Sequence, residues 1–276
     1  MLLNGCFAKK SIEKISRPGT TDVTSSSREA KWSTGVLSSG IDIKISSDFN
    51  PLFDVADNDG SGHNLFIQMM KQWNSSTNLY TFFQADGDTT TNKNYTNISS
   101  YYDSEMGIYK STNWFSNVSN QALAVTQFYG IRRNVGSATE YIELTHADII
   151  LNYRDYTFSM DSSSNSNYDL PSVLLHELGH FIGLSHQSDF LVSSVMQPYL
   201  SIFDVNRSIT SADISSTRTN YNASLLTASN ALSALNTGVR TSPVDPKEGE
   251  IVRGIIELRD NGKCHHYENG VLSDIH

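Results

Sequence analysis

The segment Leu175–His186 constrains the fold of this chain more than any other, because its three histidines are spaced so that they can meet at one point. It runs Leu-His-Glu-Leu-Gly-His-Phe-Ile-Gly-Leu-Ser-His. His176 and His180 are four positions apart, so on a helix both imidazoles project from one face. Gly183 can adopt a positive φ and end that helix. The chain can then turn and bring His186 to the same point, which predicts a three-histidine metal site.

The type of ligand and the neighbouring carboxylate indicate which metal and which chemistry. Three neutral imidazole nitrogens favour zinc and leave a fourth tetrahedral position for water. Glu177 follows the first ligand and is rotated by about 100° from it on a helix, from where it can reach that water. A structural zinc site normally fills all four positions with protein ligands. The motif therefore predicts a catalytic centre.

Composition and charge exclude several other classes of protein. The 276 residues include 20 Lys and Arg against 29 Asp and Glu, a net charge of −9, and 38% are hydrophobic. A negative chain without a Lys/Arg-rich block argues against binding to nucleic acid or to an anionic membrane surface. The sequence also has no run of about 18 apolar residues that could span a bilayer. We expect a folded monomer that acts outside the cytoplasm.

Hydrophobic periodicity predicts an α+β domain over residues 32–222. Helices are expected at about 63–75, 171–183 and 212–221, and strands at 41–45, 106–110, 122–131 and 141–153. Residues 1–31 are rich in Ser, Thr and Lys and are interpreted as an N-terminal anchor or spacer. Residues 223–276 are interpreted as a C-terminal extension with a helix, a linker and a small β-hairpin or meander, because Asn-Gly pairs mark two turns there.

The extended histidine motif resembles the zinc signature of the metzincin metallopeptidases, and the matrixin family fits best within that clan. The segment Ser194–Tyr199, Ser-Val-Met-Gln-Pro-Tyr, resembles the methionine turn of these enzymes. Ala147-Asp148-Ile149 and Ala212-Asp213-Ile214 resemble a matrixin strand and the terminal helix. The resemblance implies a metzincin-type domain with a twisted mixed sheet, an active-site helix and a C-terminal helix.

The resemblance also implies a function and roles for single residues. The expected function is zinc-dependent endopeptidase activity on proteins or peptides, with structural calcium as a further expectation. Zn²⁺ would be bound by His176, His180 and His186, with Glu177 as general base. Met196 would form an apolar base beneath the metal. Pro198 and Tyr199 would line the substrate pocket, and the small Ser172 suggests that this pocket is deep.

Two other functions share this fold and are left open by the sequence. One is a cell-surface lipoprotein that binds without turnover, and the other is an amidase that acts on non-protein amides. An intact Glu177 favours an enzyme, since a binding protein gains nothing from it.

The two cysteines also leave alternatives open. The run Leu2–Cys6 resembles the lipobox of bacterial lipoproteins, which would attach lipid to Cys6 and tether the chain to the cell envelope. A free thiol or a bridge between Cys6 and Cys264 is equally compatible with the sequence. Cys264-His265-His266 could bind a second metal, but we expect an exposed hairpin edge there. Asp57, Asp59 and Gly60 resemble a calcium loop, but an ordinary turn is preferred.

Overall fold

A computed structural model describes residues 29–53, 64–222, 247–260 and 265–275. Several predictions lie outside these ranges: residues 1–28 of the N-terminal spacer with Cys6, the loop at 57–60, the helix expected after residue 222, and Cys264. The last residues of the predicted spacer instead belong to a strand, Ala30–Trp32, which pairs with the sheet. Among the described helices, none is both long and apolar enough to cross a bilayer.

The described residues form short and long elements in a mixed order that confirms the α+β fold. The helices are α1 (Thr34–Leu37), α2 (Asn50–Phe53), α3 (Leu65–Ser75), α4 (Leu170–Phe181) and α5 (Ser211–Asn222), with 3₁₀ turns at Ser47–Phe49 and Ile98–Tyr101. The strands are β1 (Ala30–Trp32), β2 (Ile43–Ser46), β3 (Thr89–Thr90), β4 (Met106–Ser111), β5 (Ala122–Arg133), β6 (Tyr141–Asn152), β7 (Phe158–Ser159), β8 (Tyr168–Asp169), β9 (Ile251–Arg259), β10 (His265–Glu268) and β11 (Val271–Ile275).

Most of these strands join one mixed sheet, as the resemblance implied. Within the described residues its order is β11-β10-β9-β5-β6-β4-β2-β3, and β1 pairs with β6 at one end. The strands β2, β3, β4 and β6 are mutually parallel. Strand β5 runs antiparallel to β6 because a tight turn joins the two. Asn134 and Gly136 adopt positive φ in that turn, a conformation that Asn and Gly tolerate.

The two faces of the sheet are covered by different layers. Side chains alternate along β6, so Ile149 and Leu151 face the cluster that contains α3 and α4, whereas Ile150 faces the other side. On that other side Ile150 packs with an aromatic group from the loops. Helix α4 therefore lies buried on one face of the sheet, beneath β5 and β6.

The C-terminal strands extend this sheet. The meander β9–β11 was predicted from its turns, but its partner was not. Strand β9 is antiparallel to β5 along a register that extends from Ala122↔Arg259 to Ile131↔Ile251. Val252 and Leu258 are fully buried in the same core cluster as α4. The strands beyond residue 250 thus share one sheet and one core with the segment before residue 222.

Candidate metal centre

Helix α4 begins where the sequence predicted, because two residues at its start favour a helix terminus. Asp169 is the N-cap, and its carboxylate accepts a hydrogen bond from the backbone N–H of Ser172. Pro171 lies in the first turn, where a missing N–H costs nothing. Arg207 forms an ion pair with Asp169 at 2.5 Å and fixes this end of the helix.

The other end of α4 depends on glycine for two reasons. Gly183 has φ +86°, a left-handed conformation that stops the helix. A Cβ at this position would also lie 2.0 Å from the carbonyl oxygen of Ala30 in β1. The turn therefore needs a residue without a side chain both for its backbone and for its packing, and it leads the chain directly to His186.

The three histidines of the motif converge as predicted. The Nε2 atom of His180 lies 2.9 Å from those of His176 and His186, and the latter two are 3.2 Å apart. All three residues are at least 93% buried, with exposed fractions of 2%, 1% and 7% in chain order. Ligands bound tetrahedrally at zinc–nitrogen distances of about 2.0–2.1 Å are about 3.3–3.4 Å apart. The observed spacing is close to that value.

Hydrogen bonds at the far side of two rings show why a cation fits between them. His176 Nδ1 lies 2.8 Å from the carbonyl oxygen of Val195, and His180 Nδ1 lies 2.8 Å from that of Leu184. A carbonyl only accepts, so Nδ1 carries the proton and Nε2 presents a lone pair. Burial lowers the pKa of His176 to about 4, which keeps its ring neutral. Lone pairs that face each other repel unless a cation lies among them.

A hydrogen bond from strand β5 fixes the side chain of Glu177. Its carboxylate is fully buried, and the hydroxyl of Thr126 donates a hydrogen bond of 2.5 Å to Oε2. Oε1 is buried as well and has no hydrogen-bond partner among the described residues. Burial raises the pKa of this carboxyl to about 8. A nearby divalent cation would lower that pKa again, because it favours the ionised form.

Met196 lies directly against α4, the helix that carries His176 and His180. It is 2% exposed, and a Cβ on Gly179 would lie 2.3 Å from its sulfur, so the sulfur occupies the space that this glycine leaves. The turn around Met196 is fixed by Asp213 of α5. The carboxylate of Asp213 accepts hydrogen bonds from the Ser194 hydroxyl at 2.5 Å and from the Val195 N–H at 3.2 Å.

Comparison with known protein families gives an independent result. The sequence pattern of the Matrixin peptidase family matches residues 54–222. The chain belongs to the matrixin family. Membership supports a metallopeptidase of the zinc-dependent class, and the three-histidine group fits that class. No individual curated protein matches the chain.

Three residues that the matrixin resemblance assigned to the substrate pocket differ in their surroundings. Ser172 is 1% exposed, and its hydroxyl donates to Asp169 at 2.6 Å and accepts from the N–H of Asn206 at 2.7 Å. Pro198 is buried, whereas Tyr199 is 42% exposed. The role of these three residues in a substrate pocket stays a prediction.

One expectation about the C-terminal tail of this matrixin is wrong. His266 does not lie at an exposed hairpin edge, because it is only 9% exposed. Its Nε2 atom lies 2.8 Å from Nδ1 of His186. Sequence reasoning missed this contact, and it also missed the bond between Thr126 and Glu177. Neither pair is close in sequence, so no spacing could indicate them.

A second group of possible metal ligands occurs among the described residues, but a lysine side chain already pairs with it. Asp42, Asp86 and Asp88 are exposed and close together. The ammonium group of Lys44 lies 2.8 Å from Asp42 and 2.7 Å from Asp88. This positive charge already neutralises part of the group. Structural calcium in this matrixin therefore stays a prediction from the resemblance.

Proposed function

We propose that the chain is a zinc-dependent endopeptidase whose metal is held by His176, His180 and His186. The observation that carries this proposal is the convergence of three Nε2 lone pairs within 3.2 Å of one another. The donor set is all imidazole, which suits zinc better than magnesium or calcium. Zinc held there would supply a Lewis acid that makes water a nucleophile near neutral pH.

Glu177 is the residue that moves the proton in this proposal. Thr126 fixes Oε2, so Oε1 is the oxygen available to accept a proton from the attacking water. The same oxygen then delivers the proton to the leaving amine. The ionised form required for the first step is the one that a bound cation stabilises.

The test is hydrolysis of a peptide library by the full chain, combined with analysis of its metal content. We expect about one zinc per chain, cleavage that a chelator abolishes, and recovery when Zn²⁺ is added. Glu177→Gln should retain zinc and lose at least about 10²-fold in the rate of hydrolysis, because it removes the general base.

A matched control comes from Glu143 of β6, whose partly exposed side chain pairs with Arg133. Glu143→Gln should cleave peptides at the rate of the unchanged chain. Undiminished cleavage by Glu177→Gln would remove the general-base role. Zinc binding without any cleavage would favour the non-catalytic lipoprotein, and cleavage restricted to non-protein amides would favour the amidase.

A further inference from the structure

His266 makes a contact that the proposed mechanism does not use. It lies on β10, 80 positions from His186 along the chain, and the two rings meet with their centroids 4.9 Å apart. The nitrogen atoms are 2.8 Å apart, which is a hydrogen-bond distance between two buried imidazoles. One of the two must donate, so the tautomers of the pair are linked.

The register of the sheet explains how the tail reaches the metal centre. His266 is opposite Ile256 of β9, and Ile256 is opposite Thr126 of β5. Residues directly opposite each other on antiparallel strands project from the same face of the sheet. Thr126 contacts Glu177 of α4, so this face is the one that carries the metal-binding helix. His266 therefore projects towards α4, and the preceding residue on the strand, His265, projects from the opposite face.

The contact gives His186 an acceptor for the proton on its Nδ1 atom, as backbone carbonyls do for the other two ligands. His176 and His180 each donate their Nδ1 proton to a carbonyl oxygen, which holds the ring so that Nε2 faces the metal. His186 needs the same tautomer, with the proton on Nδ1. The Nε2 atom of His266 is placed to accept that proton. Such partners orient metal ligands and raise their basicity.

We propose that His266 is a positioning residue of the metal centre, which fixes the ring and tautomer of His186 through this hydrogen bond. The inference rests on the proposed zinc site. It assigns a role in that site to a strand outside the matched matrixin region at 54–222. The C-terminal meander would then complete the metal centre.

The experiment compares zinc affinity among three variants of the full chain. His266→Phe removes the acceptor but keeps a ring of similar size, and His266→Gln keeps an acceptor. His265→Phe is the matched control, because His265 contacts Arg259 and Tyr267 instead. Dissociation constants for zinc are measured by competition with a chromophoric chelator, and the visible spectrum of the Co²⁺-substituted protein reports the geometry of the ligands.

We expect His266→Phe to weaken zinc binding by about 10–100-fold and to shift the Co²⁺ spectrum. His266→Gln should recover most of the affinity, and His265→Phe should bind zinc as the unchanged chain does. Thermal unfolding of the metal-free forms separates positioning from packing, since we expect similar midpoints for the unchanged chain and His266→Phe.

Unaltered zinc affinity and an unaltered Co²⁺ spectrum in His266→Phe would overturn the inference. A glutamine variant as weak as the phenylalanine variant, together with an equal loss of stability in the metal-free protein, would do so as well. Both results leave the proposed peptidase in place. Failure of the unchanged chain to bind zinc would instead remove the proposed function.

Discussion

Two regions of the molecule meet at the metal centre, and they differ in how their sequence encodes it. The first is α4 with the turn that follows it, where the three proposed ligands lie within one short segment. The second is the meander β9–β11, whose contact with the centre spans 80 positions. Ligand geometry in the first region follows from helical periodicity and a glycine turn. In the second it follows only from strand register.

The two regions nevertheless share their stabilising contacts. Leu178 of α4 and Leu258 of β9 are both fully buried in one hydrophobic cluster. Buried polar groups add to this connection. Glu257 of β9 is fully buried and accepts a hydrogen bond from the N–H of Ser119 at 3.1 Å. Arg132 of β5 forms ion pairs with Glu250 and with Glu268 of β10. The meander is therefore expected to fold together with the helix.

The largest predicted effect is on the free energy of unfolding, and it tests whether the meander and the helix fold together. Leu258→Ala should lower the free energy of unfolding by about 2–5 kcal/mol, the same range as Leu178→Ala, because each removes a fully buried side chain from the core. Val271→Ala is the control, since Val271 is 69% exposed and should change stability by less than about 0.5 kcal/mol. Denaturant unfolding of the metal-free chain, followed by two spectroscopic probes, measures all three.

A single transition that shifts equally in both leucine variants would support a common core. If Leu258→Ala produced a separate early transition while Leu178→Ala moved the main one, the meander would be an independent unit. The meander and α4 would then belong to two separate folding units.

A smaller effect is expected at the turn that gives the first region its shape. Gly183→Ala should cost about 3 kcal/mol, because a side chain at positive φ is strained and would clash with Ala30. Gly136 provides the control. It has φ +78° with nothing within 4 Å of an added Cβ, so Gly136→Ala should cost only about 1 kcal/mol. Equal unfolding free energies for the two variants would show that contact with β1 contributes nothing to this turn.

These examples show where sequence reasoning succeeded and where it failed. Asp169, Pro171 and Gly183 act on backbone groups near them in the chain, so the bounds of α4 could be predicted from local rules. The β5–β6 hairpin was predictable for the same reason. The pairing of β9 with β5 was not, because many strands share its apolar pattern and only packing selects one partner. His266 could not be distinguished from an exposed histidine, because its burial depends on that pairing.

Strand β5 lies between the two regions, and Thr126 on it gives the smallest predicted effect. Its hydroxyl donates to Glu177, and its strand partner in β9 is Ile256. Thr126→Val keeps the shape of the side chain but leaves the carboxylate without this donor. A hydrogen bond to a charged group contributes about 1.5 kcal/mol, so hydrolysis should fall about tenfold. Zinc content should be unchanged, because no proposed ligand loses a contact.

Two controls test whether a loss of activity in Thr126→Val comes from the missing hydroxyl or from a disturbance of the strand. Thr126→Ser restores the donor and should recover most of the activity. Thr145→Val removes a hydroxyl from the exposed side of β6, where it contacts the carbonyl of Tyr129, and should leave activity unchanged. If Thr126→Val hydrolysed peptides at the full rate, Glu177 would need no support from β5. Among the described residues, the meander would then act on the centre through His266 and through the packing of β9 against α4.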